Sequence, residues 1–474
     1  MLLENHYHNS LVNGIPTGLR LLDTQMSGIV VLSQVQTEWP VLVHRDPIET
    51  SGSRCPLDAC SSSAQKMVFN LNTLLACSFF CLFPSTNRNI GNLRAINFDM
   101  LFVSLHQKPD EKQRNKIKCI VHYFERIFSE MPTGNVSFER KVTALEYKSS
   151  RLSYPNARFW RKSTVPLCRF EVRTSGFIED QPYEAIEVDF ANKLLGGGAL
   201  KRGCVQEEIR FMINPELISG ILFLPAMKEN EAIEMVGAER FANYTGYSSS
   251  FVFSGNHVDQ RDIDSMGRRK TRIIAIDALR LPGKRQYELE LILREINKAF
   301  CGFLDQRKDD EYQKLFLDEG ISGSVTSEVV IHRITLQNST NTCMMPVEDA
   351  IMSSTVAKSS DHEWTSSLMK FKSESQENQN EIGIATGNWG CGAFGGDPEI
   401  KTMIQWLAAS QALRPFVLCY TFGLESLDNL DEVVNVIASR KYTVGDLWNM
   451  FVKYTSKRVK RKTVDGFFQW LLST

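Results

Sequence analysis

The sequence predicts an α/β fold from about residue 166 onward, with a sheet covered on both faces by helices. Short β-branched runs alternate there with stretches of helical length, the pattern that packs helices against a sheet. Two glycine-rich segments, Gly196-Gly197-Gly198 and residues 387–396, directly follow apolar runs. Asp397-Pro398 then marks a helix start, with an acid to cap and a proline at the first helical position.

The elements follow in order. Residues 1–35 carry turn signals and one apolar run at 28–32. Residues 36–64 read as a loop or disordered segment, because Pro40, Pro47, Pro56 and two serine clusters interrupt them. Residues 65–84 and 109–130 read as helices. In the second, Ile117, Ile120, Val121, Phe124 and Ile127 recur at a 3.6-residue period. Residues 150–165 read as a loop. Strands are expected at 166–172, 184–190, 221–225, 232–237, 250–253, 272–278, 382–386 and 415–421, and helices at 206–214, 238–243, 287–304 and 398–412. Residues 306–380, rich in Ser, Asn, Gln, Lys and Glu, interrupt the pattern as a mobile insertion.

Composition narrows the function classes. The net charge of −1 provides no polyanion-coating surface, so a ligand phosphate must be met by local donors. The eleven cysteines show no CxxC pairing and read as reduced thiols of an intracellular protein. Cys77 and Cys81 lie a helical turn apart, but no histidine or further cysteine completes a zinc set, so they read as buried small residues. The first ten residues are polar and hold no secretory core. The most apolar run, 67–83, is interrupted by Asn70, Asn72 and Ser78 and reads as a buried helix rather than a membrane span. Cytosol or nucleus is therefore expected.

One stretch carries the chemistry. Glu187 to Asn192 lead into Gly196, Gly197 and Gly198, and Gln206-Glu207-Glu208 open a helix that continues through Ile209 to Ile213. Glycines let the backbone approach an anion, and a helix start offers free N–H groups to a phosphate. Two carboxylates beside such a cradle suit acid/base chemistry on a phosphorylated sugar. Consecutive helix positions diverge by about 100°, so both can face one ligand only near the helix start. Their repulsion, about 4 kcal/mol at an intermediate dielectric, favours one staying protonated near neutral pH unless donors compensate. The plain alternative is a pair of acids in a first helical turn, favoured by the dipole. Asp189 and Asn192 end a strand beside the glycines, where open α/β sheets bind ligands, or else form an Asx turn. Neither glycine loop carries GK[ST] or a GxGxxG after a first strand, which disfavours P-loop NTPases and dinucleotide oxidoreductases.

The Gly-Gly-Gly and Gln-Glu-Glu blocks resemble the signature of the poly(ADP-ribose) glycohydrolase family, with a plant-type flavour. The likeness continues in Phe177-Ile178-Glu179-Asp180, in Phe211 to Ile218, in Tyr244-Thr245-Gly246-Tyr247, in Ile274 to Leu279, in Gly387 to Asp397 and in Tyr420-Thr421-Phe422-Gly423. These blocks stand in the family's order from about residue 73 to about 455. The resemblance implies a macrodomain-like α/β/α sandwich with a mixed central sheet over 166–474, preceded by a helical accessory region at 65–165. Residues 1–64 would be a poorly structured segment or accessory-domain remnant; the family's helical N-terminal part is usually longer, and 36–64 match none of it.

The resemblance also implies roles. Glu208 would be the acid/base, Glu207 would orient the ribose hydroxyls, and Asp189 and Asn192 would position the ribose and the catalytic loop. Gly196, Gly197, Gly198, Gln206 and Asn388 would line the substrate site. Tyr247 and Phe422 would contact adenine and ribose, and Ile178 and Glu179 the adenine edge. Phe394 would close over the ligand, or else simply pack. The implied reaction is hydrolysis of ribose–ribose O-glycosidic bonds in poly(ADP-ribose), with no cofactor and no metal. Partners would be the polymer and poly-ADP-ribosylated proteins, without sequence-specific nucleic-acid or membrane binding, and the chain would act as a monomer. The rival classes are an ADP-ribose reader without turnover and a hydrolase of mono-ADP-ribosyl–protein bonds. The intact Gln206-Glu207-Glu208 favours the enzyme. The basic run Lys457-Arg458-Val459-Lys460-Arg461-Lys462 reads as a nuclear import signal, a polymer-phosphate patch or a solvated helix end.

Overall fold

A computed structural model describes residues 41–44, 71–83, 93–94, 96–107, 110–143, 154–305, 308, 311–312 and 382–474. The insertion expected at 306–380 and almost all of residues 1–64 lie outside the described residues, apart from 308, 311–312 and the strand at 41–44.

Ten strands are described: β1 (Val41–His44), β2 (Asn135–Val142), β3 (Arg169–Arg173), β4 (Ala185–Ala191), β5 (Glu231–Val236), β6 (Ala242–Thr245), β7 (Val252–Asn256), β8 (Arg272–Asp277), β9 (Gly383–Gly387) and β10 (Phe416–Tyr420). Eight form one mixed sheet in the order β1-β2-β5-β8-β4-β9-β10-β3, and β6 and β7 form a separate hairpin pair. From β8 to β3 neighbouring strands run parallel, while β5, β2 and β1 join in antiparallel register. The inner parallel strands β4, β8, β9 and β10 are buried on both faces, which explains why they stand out as continuous apolar runs, whereas β3 lies at the edge and is partly exposed.

The helices are α1 (Leu71–Phe79), α2 (Asp99–Gln107), α3 (Glu111–Ser129), α4 (Ala157–Lys162), α5 (Gln206–Ile213), α6 (Leu289–Phe303), α7 (Pro398–Gln411), α8 (Leu430–Ser439), α9 (Val444–Val459) and α10 (Phe467–Leu472). They cover both faces of the sheet. Alternate residues of one strand enter different cores: Ile274 and Ile276 join the core under α4 and α6–α10, while Ile273 and Ala275 join the one under α1, α2, α3 and α5. The helix start at α7 is as expected, with the Asp397 side chain accepting from the N–H groups of Glu399 and Ile400.

Some expectations give way. Within 36–64, read as a loop, Val41–His44 is a strand, because its β-branched residues pair antiparallel with β2. Within 150–165, also read as a loop, α4 forms on Asn156, whose side chain accepts from Arg158 and Phe159 N–H groups. The strand expected at 221–225 is instead the end of a 3-10 helical stretch, Pro215–Leu222, which Pro215 starts and which is buried on every side. The helix expected at 238–243 gives way to an extended loop and β6, following Gly237 at φ +104°.

Candidate active site

The parallel strands aim their carboxyl ends at one place. The triple glycine follows β4, the second glycine loop follows β9, Phe422 follows β10, and Ile178 and Glu179 come just after β3. In open α/β sheets this is where ligands bind. Val188 packs into one core, so Glu187 and Asp189 project to the other face of β4, toward α5.

Glu207 and Glu208 are both buried at the start of α5. Glu207 accepts from the N–H of Asn192 at 2.9 Å and of Gly196 at 2.7 Å. Glu208 accepts from Gly198 N–H at 2.8 Å and from Val205 N–H at 2.9 Å. The bond to Val205 is that of an ordinary helix cap. The bond to Gly198 is not, because it reaches across to the loop after β4. Gly197 makes that approach possible: at φ +46°, a Cβ there would lie 2.4 Å from Glu207 Oε2 and 2.6 Å from Glu208 Oε1. Gln206 fastens the helix start to β4, accepting from Phe190 N–H at 2.8 Å and donating to the Val188 carbonyl at 3.1 Å.

Asp189 is fully buried, and among the described residues no group hydrogen-bonds to its carboxyl. Burial pushes it up to about 8, with Arg210 pulling it down and Glu208 adding to the rise. Burial, then Asp189 and Glu208, also push Glu207 well above the usual carboxyl range, against the N–H groups of Asn192 and Gly196. Burial and like charge thus favour the protonated form of both Asp189 and Glu207.

A stability consequence follows. Asp189 is raised in the folded chain, so below about pH 4 both states keep its proton and it costs nothing; as pH rises to about 8 the unfolded chain loses the proton first and stability falls. Asp189→Asn should therefore raise the unfolding midpoint near neutral pH, by a free energy on the order of a few kcal/mol less the cost of an unpartnered buried amide. Thermal unfolding of both proteins across pH 4.5 to 8 checks this; the gap should widen with pH, and a constant gap would contradict the assignment.

The remaining expected residues are distributed as follows. Asn192 caps its own turn, accepting from Leu194 N–H. Tyr247 is 51% exposed, and its hydroxyl accepts from Gln206 N–H at 3.3 Å. Phe422 is 47% exposed in the left-handed region at φ +54°, with its ring 6.3 Å from that of Phe177. Asn388 donates to the Thr421 carbonyl and so ties the second glycine loop to the end of β10. Phe394 is partly buried against the core. Ile178 is 2% exposed, its side chain among Ala185, Phe416 and Leu418, so it offers a ligand only its backbone. The Glu179 carboxylate accepts from the Tyr244 hydroxyl at 2.6 Å.

Sequence reasoning missed several participants. Arg210 follows Glu207 by one turn of α5, pairs with Glu187 and lies 3.9 Å from Glu179. Arg261 pairs with Glu187 as well. The period of two linking Glu187 to Asp189, and the helical step from Gln206 to Arg210, were the available signals. A cavity of about 210 Å3 lies away from all of these, at the amino ends of β8 and β10; Glu234 within it pairs with Arg272 at 3.1 Å and with Lys141 at 3.7 Å. Among the described residues no group of three or more His, Cys, Asp or Glu could hold a metal, and no helix is long and apolar enough to cross a membrane.

A family model described as poly(ADP-ribose) glycohydrolase, macro domain fold, matches residues 157–429, and that family's helical domain matches residues 64–140. The chain is 50% identical over 479 residues to poly(ADP-ribose) glycohydrolase 1 of Arabidopsis thaliana, covering 99% of this chain and 78% of that protein. The chain belongs to the poly(ADP-ribose) glycohydrolase family. It is also 44% identical over 475 residues to the probable poly(ADP-ribose) glycohydrolase 2 of the same plant, covering all of this chain and 78% of the relative. To poly(ADP-ribose) glycohydrolase 1 of Caenorhabditis elegans it is 29% identical over 353 residues, 71% of this chain and 35% of the relative. The fold of this glycohydrolase-family chain is accordingly a macro domain with a helical region before it.

Proposed function

We infer that this chain is a poly(ADP-ribose) glycohydrolase, which hydrolyses ribose–ribose O-glycosidic bonds of poly(ADP-ribose) and releases ADP-ribose. The observation that carries the reading is the pair Glu207 and Glu208, each held by two backbone N–H groups at the carboxyl end of β4. The chain's identity to glycohydrolases over nearly its whole length supports it.

In this reading Glu208 protonates the departing ribose oxygen, and an oxocarbenium-like centre forms beside the remaining carboxylate. Glu208 then takes a proton from the attacking water, which restores the acid. Glu207 orients the ribose hydroxyls, and Asp189 and Asn192 hold the loop and ribose in place. Tyr247 and Phe422, both exposed, suit a stacked adenine and its ribose. The N–H groups of the second glycine loop and the start of α7 suit the diphosphate.

The wider setting belongs to the same proposal: turnover of poly-ADP-ribosylated proteins in DNA-damage and stress responses, in nucleus and cytoplasm, by a monomer.

Purified full-length chain would be incubated with defined poly(ADP-ribose), alongside the Glu207→Asn/Glu208→Gln double variant, and released ADP-ribose quantified by chromatography. Release by the native chain alone is the expected result. A folded chain that binds ADP-ribose and releases none would be a reader instead. Both proton transfers of the scheme fall to the Glu208 carboxyl, so turnover should be unchanged in EDTA; loss of activity on chelation would overturn it.

A further inference from the structure

The peptide groups that hold the two carboxylates are themselves held from behind. Arg94 stands in the segment between α1 and α2. Its Nη1 donates to the Gly197 carbonyl at 2.6 Å, and its Nη2 donates to the carbonyls of Leu194, at 3.2 Å, and Leu195. In a planar trans peptide the C=O and N–H point in opposite directions. The Leu195 carbonyl shares its peptide group with the Gly196 N–H, which donates to Glu207. The Gly197 carbonyl shares its peptide group with the Gly198 N–H, which donates to Glu208. One guanidinium therefore grips the far side of both peptide groups, and a cation on the carbonyl polarises the N–H into a stronger donor. At the other end of the loop Lys116 of α3, itself buried, donates to the carbonyls of Lys201 at 2.8 Å and Gly203 at 2.6 Å.

We propose that Arg94, supplied by the helical region, is a positioning residue of the reaction: it sets the orientation and donor strength of the peptide groups that hold Glu207 and Glu208. The role rests on the glycohydrolase reading above. Arginine suits it because its planar fork reaches several carbonyls at once and stays charged. Burial lowers the Arg94 pKa and Glu207 opposes the change, which places its charge within reach of that carboxylate. The carboxylate pair is also faced by Asp189 from β4, with Arg210 acting on Asp189 from α5, by Lys116 from α3, by Cys204 from the loop and by Tyr247 from the segment after β6.

The test compares Arg94→Gln and Arg94→Lys with the native chain in kcat against pH, ADP-ribose affinity and unfolding midpoint. Weaker donors favour the protonated carboxyl, so Arg94→Gln should move the limb of the pH profile set by this pair upward by about half a unit or more and lower kcat by about tenfold or more. ADP-ribose affinity should hold within about twofold, because Arg94 acts through the carbonyls of Leu194, Leu195 and Gly197. Arg94→Lys should recover part of both effects. A fall in kcat that matches the unfolded fraction, with the limb unmoved, would reduce Arg94 to scaffolding and overturn the proposal. If Arg94→Gln does not fold, Arg94→Lys decides: it keeps the charge without the fork, and an unmoved limb again overturns the role. A native chain that releases no ADP-ribose would remove the glycohydrolase reading itself, and the role assigned to Arg94 with it; that control is read separately.

Discussion

Glu208→Gln is expected to lower turnover of poly(ADP-ribose) by at least ~10²–10⁴-fold, the usual loss when an acid/base group is removed. Glutamine keeps the length and one acceptor oxygen but can neither give nor take a proton at useful rates. It also places an amide NH2 where Glu208 now accepts from a backbone N–H, since both oxygens are so occupied. One of those N–H groups then loses its partner, at a cost of about 1–3 kcal/mol. Stability must therefore be measured beside rate. The expected result is a modest fall in unfolding midpoint, retained ADP-ribose binding and a loss of kcat far beyond the unfolded fraction. Undiminished turnover would sink the role given to Glu208.

Gly197→Ala is expected to be nearly as damaging, although it removes no functional group. The added methyl would lie 2.4 Å from Glu207 Oε2 and 2.6 Å from Glu208 Oε1, far inside van der Waals contact. Both carboxylates sit on a short helix packed into the core, and each is tied to two N–H groups, so neither can withdraw without breaking those bonds. The residue is also at φ +46°, where alanine is strained by roughly 1–2 kcal/mol. A displacement of about 1 Å at a catalytic group costs about a hundredfold in rate. We expect kcat to fall by about that much or more, with KM and unfolding midpoint changing less. Unchanged kcat would mean that the loop and the pair are not held together in the working enzyme.

The chain's legibility followed the range of its interactions. β4, β8, β9 and β10 were readable because strands buried on both faces are continuous apolar runs. β2 was not: its sequence carries Glu139, Arg140 and Lys141 in succession, and the two cations are satisfied by Glu231, Glu234 and carbonyls that only the fold brings near. α8, α9 and α10 were also missed. The triple glycine and the Gln-Glu-Glu block were legible because helix start and loop lie close in sequence. Arg94 and Lys116 were invisible for the opposite reason. They act on carbonyls 103 and 85 residues away, and any residue supplies a carbonyl, so no side-chain pattern marks the target. The basic run at Lys457–Lys462 is likewise partly absorbed by packing, with Arg458 over the Tyr287 ring and Lys457 over Trp470.

β2 belongs to the segment that precedes the macro domain, yet it pairs along β5, every residue of which is buried. A polypeptide cut to begin at Ala157 would uncover a row of unpaired β5 amides and carbonyls together with Ile233 and Met235. Such a bare edge recruits strands from other molecules. The catalytic half is thus an incomplete sheet on its own, and self-association rather than a smaller working enzyme is what trimming the chain there should yield.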